Sequence, residues 1–314
     1  MVFPRSARRP LFALLASASA LLVLAGCKPA ADARAAEQAK PASPVAVFQT
    51  DAAEFAVPGS KVHTLPASAQ GRVYQIYVKT PFGYDAPENA GRKWPVIYLN
   101  DGPYAFQVAS GVTDLPFRFG RLEQAILVGI SYAQGDNGMV SRRRDMTPWK
   151  DASLASASGG AADYLVFIKG QVLPFVESRY RADPRRRTLA GQSYGGLFGA
   201  WVAVTEPELF DSYVLTSPSL WYGHREMFKA EAAYAAGHKD LKARIYLATG
   251  ALERPRPGGD AEDMVADQQA FARALRGRGY PGLKVRDEIM DDTFHETTFP
   301  VAFTRGLTWL FPKA

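Results

Sequence analysis

Six short runs rich in apolar and β-branched residues, at 95–99, 125–130, 187–190, 212–215, 244–248 and 284–290, are separated by gaps long enough for crossover helices. Strands with mostly apolar residues on both sides suit a parallel sheet covered by helices on its two faces. Ahead of them, 63–65 and 72–78 read as an antiparallel pair, the second alternating Val73, Gln75, Tyr77 against Tyr74, Ile76, Val78. Helical spacing recurs in the gaps: Leu165, Ile168, Val172 and Val176 within 162–180, and Val265, Phe271 and Leu275 within 263–277. A last helix is expected at 299–311. The pattern predicts an α/β fold with a mostly parallel, doubly wound sheet and an antiparallel N-terminal edge. At 314 residues and 47% hydrophobic content, one large core suffices.

The first 26 residues read differently. Arg5, Arg8 and Arg9 precede an apolar stretch at 11–25 that closes on Leu24-Ala25-Gly26-Cys27. The stretch is shorter than the roughly 20 residues a bilayer-spanning helix needs, and small residues end it, as in an export signal. Its ending resembles the lipobox of bacterial lipoproteins, in which the cysteine becomes the acylated first residue. Cys27 is the chain's one cysteine, so the body can form no internal disulfide. Three domains are expected: a signal at 1–26, an Ala/Pro-rich tether at 27–60 carrying lipidated Cys27, and a catalytic domain at 61–314. Lys28 after the cysteine, where inner-membrane retention favours Asp, points to the outer membrane, facing the periplasm. Removing a signal with three arginines and no acid brings the net charge from +6 to about +3. That leaves no concentrated basic face for nucleic acid.

Gly191-Gln192-Ser193-Tyr194-Gly195 follows the strand Thr188-Leu189-Ala190 and precedes a helical stretch at 196–205. A serine between two glycines at a strand-to-helix junction is a nucleophile elbow: the turn is too sharp for side chains beside it. The following helix aims its N-terminus at the serine, and the Tyr194 N–H is the natural first oxyanion donor. A second donor belongs in the turn Asn100-Asp101-Gly102-Pro103-Tyr104. Pro103 has no N–H, which leaves Gly102 or Tyr104.

A serine hydroxyl needs a neighbouring imidazole to take its proton. Of four histidines, His63 precedes the sheet, and His224 and His238 flank a surface helix. His295, in Asp291-Asp292-Thr293-Phe294-His295-Glu296, follows the last strand, as the order serine, acid, histidine requires. The acid is expected in Thr249-Gly250-Ala251-Leu252-Glu253, after the 244–248 strand. Glu253 is the first choice, with Asp260 and Asp263 on the same Pro/Gly-rich loop and Asp291 or Asp292 as alternatives.

Several segments resemble the esterase D-like branch of the α/β hydrolases, especially bacterial enterobactin and bacillibactin esterases and their lipoprotein relatives. They are Leu99-Asn100-Asp101-Gly102, Arg143-Arg144-Asp145-Met146-Thr147-Pro148, Gly159-Gly160 through Pro174-Phe175-Val176-Glu177 to Tyr180, the elbow through Leu197, Pro207-Glu208-Leu209-Phe210, and Ser217-Pro218-Ser219-Leu220-Trp221. The resemblance implies an α/β-hydrolase fold and hydrolysis of a carboxylic ester through an acyl-enzyme, without metal or organic cofactor. It also implies, as partner, a small-molecule ester such as a ferric or iron-free trilactone catecholate siderophore. Asn100 and Pro103 depart from the residues commoner in that turn.

Such a substrate is anionic and aromatic, so Arg143 and Arg144, with Arg142 beside them, and Trp221 and Tyr222 are candidate binding residues. The competing expectation pairs Arg143 or Arg144 with Asp145 or a loop acid and packs Trp221 beneath the nucleophile helix. Rival functions are a general carboxylesterase, an acyltransferase, or a binding lipoprotein that kept the fold without turnover.

Overall fold

A computed structural model describes residues 54–154, 156–257 and 261–313. The proposed signal, Cys27 and most of the tether lie outside the described residues. The last part of the tether, from Glu54, leads into the first strand, and Val57 packs against the core.

Eight strands form one sheet in the order β1-β2-β4-β3-β5-β6-β7-β8. They are β1 (Ser60–Thr64), β2 (Gln75–Lys79), β3 (Trp94–Leu99), β4 (Ile126–Ile130), β5 (Ala182–Gln192), β6 (Ser212–Thr216), β7 (Arg244–Gly250) and β8 (Lys284–Met290). β2 runs against both β1 and β4, and every other neighbouring pair is parallel. The sheet is therefore the expected doubly wound one with an antiparallel edge. His63, expected to open the first strand at 63–65, sits on β1 paired with Ile76, and that strand begins three residues earlier, at Ser60.

Helices α1 (Gly102–Arg118) and α8 (His295–Leu310) cover one face; α3 (Ala161–Phe167), α5 (Tyr194–Thr205), α6 (Tyr222–Gly237) and α7 (Met264–Gly277) cover the other. Successive residues of β3 serve opposite sides: Val96 and Tyr98 enter one core, Ile97 and Leu99 the other. This is why the central strands read as unbroken apolar runs. Each such Leu, Ile or Val removes enough surface from water to contribute about 1.5–3 kcal/mol, so both faces must stay covered.

The single helix expected at 162–180 is interrupted. After α3 the chain widens into a π turn at Ile168–Val172 before α4 (Leu173–Arg179), and Leu173 N–H donates to Ile168 O. Pro174 has no N–H to donate four residues back and its ring crowds that carbonyl, so the wider turn accommodates it. α8 starts at His295, four residues before the expected 299, with Pro300 inside it.

Candidate active site

The carboxyl ends of β5, β6, β7 and β8 converge on Ser193. Its backbone lies at φ 59° and ψ −118°, a region closed to most side-chain-bearing residues. The surroundings hold it there: Ser193 N–H donates to Thr216 O at 3.0 Å, and its carbonyl accepts from Ser219 N–H at 3.1 Å and Leu197 N–H at 2.9 Å. A β-carbon on Gly191 would lie 2.4 Å from the carbonyl carbon and oxygen of Gly195, so only glycine fits inside the elbow. Tyr194 is the first residue of α5. Ser193 Oγ is 3.2 Å from Ser219 Oγ.

His295 is the first residue of α8 rather than part of a free loop. Its Nδ1 is 2.7 Å from Glu253 Oε2. The other carboxylate oxygen, Oε1, accepts from Ser217 Oγ at 2.7 Å and Gly250 N–H at 2.7 Å, and Thr298 Oγ1 stands 2.8 Å away. Burial works against the Glu253 charge, but the hydrogen bonds from His295, Ser217, Thr298 and Gly250 outweigh it and hold the carboxyl below its ordinary range. A further bond runs from the Gln192 side-chain amide to the His295 carbonyl, tying the elbow to the start of α8.

The other candidate acids are placed elsewhere. Asp263 caps α7, accepting from Ala266 N–H at 2.8 Å, and lies 3.6 Å from Arg254. Asp291 and Asp292 are exposed. Asp260 lies outside the described residues. Two of the other three histidines are engaged elsewhere: His63 Nε2 is 2.7 Å from Tyr180 Oη, and His238 Nδ1 is 2.8 Å from Tyr234 O.

In the turn after β3, Tyr104 N–H donates to Asp101 O at 3.0 Å, so it is spent inside the first turn of α1. Gly102 precedes it at the helix start, where backbone N–H groups have no partner within the helix. Asn100, unusual at its position, is buried and donates from Nδ2 to Gly195 O at 3.3 Å, bridging this turn to the elbow.

Ser193, Glu253 and His295 line one cavity of about 340 Å³, completed by Trp221, Leu252, Arg256, Met264 and Phe294, with Glu262 and Glu296 at its polar side. Among the expected binding residues, Trp221 is here, 6.3 Å from the Tyr194 ring. The others are not. Tyr222 is 1% exposed and donates to Trp149 O at 2.9 Å, so its ring is core. Arg144 forks onto Asp145, with Nε to Oδ1 at 2.7 Å and Nη2 to Oδ2 at 2.9 Å, and also reaches Asp136 at 2.5 Å. Arg143 is half-buried and donates to Ser156 Oγ at 2.7 Å. The guanidinium that does reach the cavity, Arg256, is exposed on the loop after β7 and carried no motif in the sequence. Ser219 lay within a family-like segment, but no spacing rule singles out its hydroxyl.

The Esterase family model matches residues 67–298, about three-quarters of the chain. The chain belongs to this family. It is 30% identical over 215 residues to the ferri-bacillibactin esterase BesA of Bacillus subtilis, covering 64% of this chain and 73% of BesA. It is 28% identical over 232 residues to the siderophore triacetylfusarinine C esterase of Aspergillus fumigatus, covering 71% of this chain and 76% of that protein. The BES protein of Bacillus cereus shares the fold with a TM-score of 0.71 at 23% identity, over 84% of this chain and 99% of that one. The esterase is a carboxylic ester hydrolase.

Proposed function

We propose that this esterase works through an acyl-enzyme on Ser193, with His295 as general base and Glu253 as the acid that orients it. The observation that carries the reading is the 2.7 Å contact between His295 Nδ1 and Glu253 Oε2 in the same cavity as Ser193. With Nδ1–H held by the carboxylate, Nε2 is the ring nitrogen free to accept a proton. The Ser193 hydroxyl rotates from Ser219 toward His295, gives its proton to Nε2 and bonds to the ester carbonyl carbon. The carbonyl oxygen becomes an oxyanion received by the N–H groups of Tyr194 and Gly102. As the intermediate collapses, the C–O bond to the alcohol breaks and His295 returns the proton to the leaving oxygen. Water then repeats the sequence on the acyl-enzyme, releasing the acid and restoring Ser193.

The proposed substrate is a trilactone catecholate siderophore, iron-loaded or iron-free. BesA and the Aspergillus relative carry siderophore names, and Trp221 and Phe294 give the cavity stacking surface for an aromatic ligand, with Arg256 as a cation beside the acids Glu262 and Glu296. We also propose that Cys27 is the acylated N-terminus of a periplasm-facing lipoprotein, on the lipobox-like sequence before it. Mass spectrometry of the mature protein checks this, and an unmodified Cys27 refutes it.

Hydrolysis of p-nitrophenyl esters by wild type and Ser193→Ala tests the mechanism, and equal rates would sink it. Product analysis with trilactones beside simple esters tests the substrate. Good simple-ester turnover without trilactone cleavage would favour the general carboxylesterase.

A further inference from the structure

Helices α6 and α7 lie side by side and run in the same direction, joined by three contacts. Farthest from the cavity, Arg278 forks onto buried Glu231, with Nε to Oε1 at 2.8 Å and Nη2 to Oε2 at 2.7 Å. In the middle, the rings of Phe228 and Phe271 meet edge to face at 5.7 Å. The third contact is at the cavity end, where Arg225 Nη2 stands 2.7 Å from Asp267 Oδ1. Trp221 comes four residues before Arg225 and Met264 three before Asp267, and both line the cavity.

This end contact is built unlike the first. Asp267 is 3% exposed, yet its Oδ2 has no hydrogen-bond partner among the described residues, and Arg225 itself is exposed. Burial pushes the Asp267 carboxyl above the ordinary carboxylate range, against the pull of Arg225. A buried charge held on one side only is a poor source of stability. The backbone under Arg225 is costly too: Gly223, His224 and Arg225 follow one another at φ 60°, 56° and 65°, left-handed throughout. Glycine adopts that conformation freely, but a run with two β-carbon-bearing residues in it needs restraint from outside. Two bonds supply it: Arg225 N–H donates to Trp221 O at 3.1 Å, and Asp267 holds the guanidinium. The turn that sets down Trp221 is thus fastened to the helix that sets down Met264.

We infer that Arg225 and Asp267 are positioning residues that fix Trp221 relative to Met264 and so set how well an aromatic group of the ester is held in the cavity. Neither lines the cavity; they act through Trp221. The inference rests on the reading above in which Trp221 is a stacking surface for the substrate.

The test uses the full chain with 2-naphthyl acetate and vinyl acetate. The two esters carry the same acyl group, so a change confined to the naphthyl ester reports on how its rings are held. Arg225→Asn tolerates the left-handed backbone but is too short to reach Asp267. It should raise KM for 2-naphthyl acetate about three- to tenfold, the scale of one aromatic contact, with kcat within about twofold. For vinyl acetate, kcat/KM should stay within about twofold of wild type. Asp267→Asn should show the same split, and serves if Arg225→Asn does not fold. Arg225→Lys should keep a KM near wild type, because a single-pronged contact needs only a cation. Wild-type KM for the naphthyl ester in the asparagine variants would overturn the inference, as would equal losses on the two esters. Trp221→Ala separates the two readings. If it raises KM for the naphthyl ester while Arg225→Asn and Asp267→Asn behave like wild type, only the brace fails. If Trp221→Ala leaves that KM unchanged, the stacking surface and the brace fail together.

Discussion

Glu253 divides its carboxylate between two tasks: Oε2 meets His295 Nδ1 at 2.7 Å, while Oε1 is fixed by Ser217, Gly250 and Thr298. The acid is therefore immobile before any substrate arrives, and the imidazole inherits that orientation. Glu253→Gln keeps the shape but can present an N–H to Nδ1, favouring the wrong tautomer. We expect kcat to fall about 10³- to 10⁴-fold, against about 10⁶ for Ser193→Ala or His295→Ala. Steady-state kinetics of the three variants gives the ranking, and a Glu253→Gln enzyme of wild-type speed would dismiss the carboxylate from the triad.

The same bonds make stability depend on pH. Despite the opposing effect of burial, hydrogen bonds hold Glu253 below its ordinary pKa, so the folded chain binds this proton less readily than the unfolded one. The resulting stability is present above the unfolded value, about 4.3, and is lost as pH falls from there toward the folded pKa. We expect the Tm of wild type to drop more steeply below about pH 4.5 than that of Glu253→Gln. Thermal melts across pH 3 to 7 decide it; parallel curves would mean that Glu253 contributes nothing to the acid sensitivity.

Gly250 closes β7 beneath the acid. A β-carbon there would stand 2.3 Å from Thr293 O, 2.7 Å from Thr298 Oγ1 and 2.8 Å from Glu253 Oε1. Gly250→Ala should push the carboxylate off His295 and cost about 1–3 kcal/mol in overpacking. The expected result is a kcat at least tenfold lower together with a reduced Tm, measured on the same preparation. Unchanged kinetics would show that the site adapts to the added methyl group.

Arg144 braces the fold. Asp145 is 1% exposed, and also bonded to Tyr74 and Ser141. Arg144→Ala leaves that carboxylate without its main cation, and we expect a loss of about 3–5 kcal/mol in chemical denaturation. KM of the surviving folded enzyme should not move, whereas a raised KM at unchanged stability would return Arg144 to the substrate.

Arg256 offers the opposite case, an exposed charge at the mouth of the cavity. Arg256→Glu should lower kcat/KM for an anionic catecholate ester several-fold at low salt, leave a neutral acetate ester unchanged, and lose the difference at high ionic strength. Equal effects on both esters would deny it a part in selectivity.

The sequence carried the sheet, the elbow and the chain order of serine, acid and histidine because each leaves a local mark. Apolar runs mark strands buried on both sides, and glycines mark a turn with no room beside it. The arginine run shows where such marks stop. Arg142 and Arg144 are two positions apart, close to opposite sides of a helix, and α2 (Gly138–Met146) sends one to Asp101 and the other to Asp145. Composition alone cannot tell those directions apart. Tyr222 and Trp221 are adjacent, yet one is core and the other lines the cavity, a difference set by how the chain turns after Ser219. Ser217 and Ser219 come from a segment with no period and Thr298 from the first turn of α8, and they join the site only when β6, β7 and β8 end side by side.

Because the parallel strands deliver their chemistry to one end of the sheet, the molecule is modular along the strand direction. The turns at the far end, such as 239–243 and 280–283, lead into strands without contributing to the cavity. Changes there act on packing, through buried Leu241 and Tyr280 and the bond from Gly282 N–H to Asp240, and not on the cavity. Arg256 and Glu262, by contrast, lie between the acid Glu253 and the α7 cap Asp263 and line the cavity, so substitutions there should alter which ester is accepted while the scaffold beneath stays as it is.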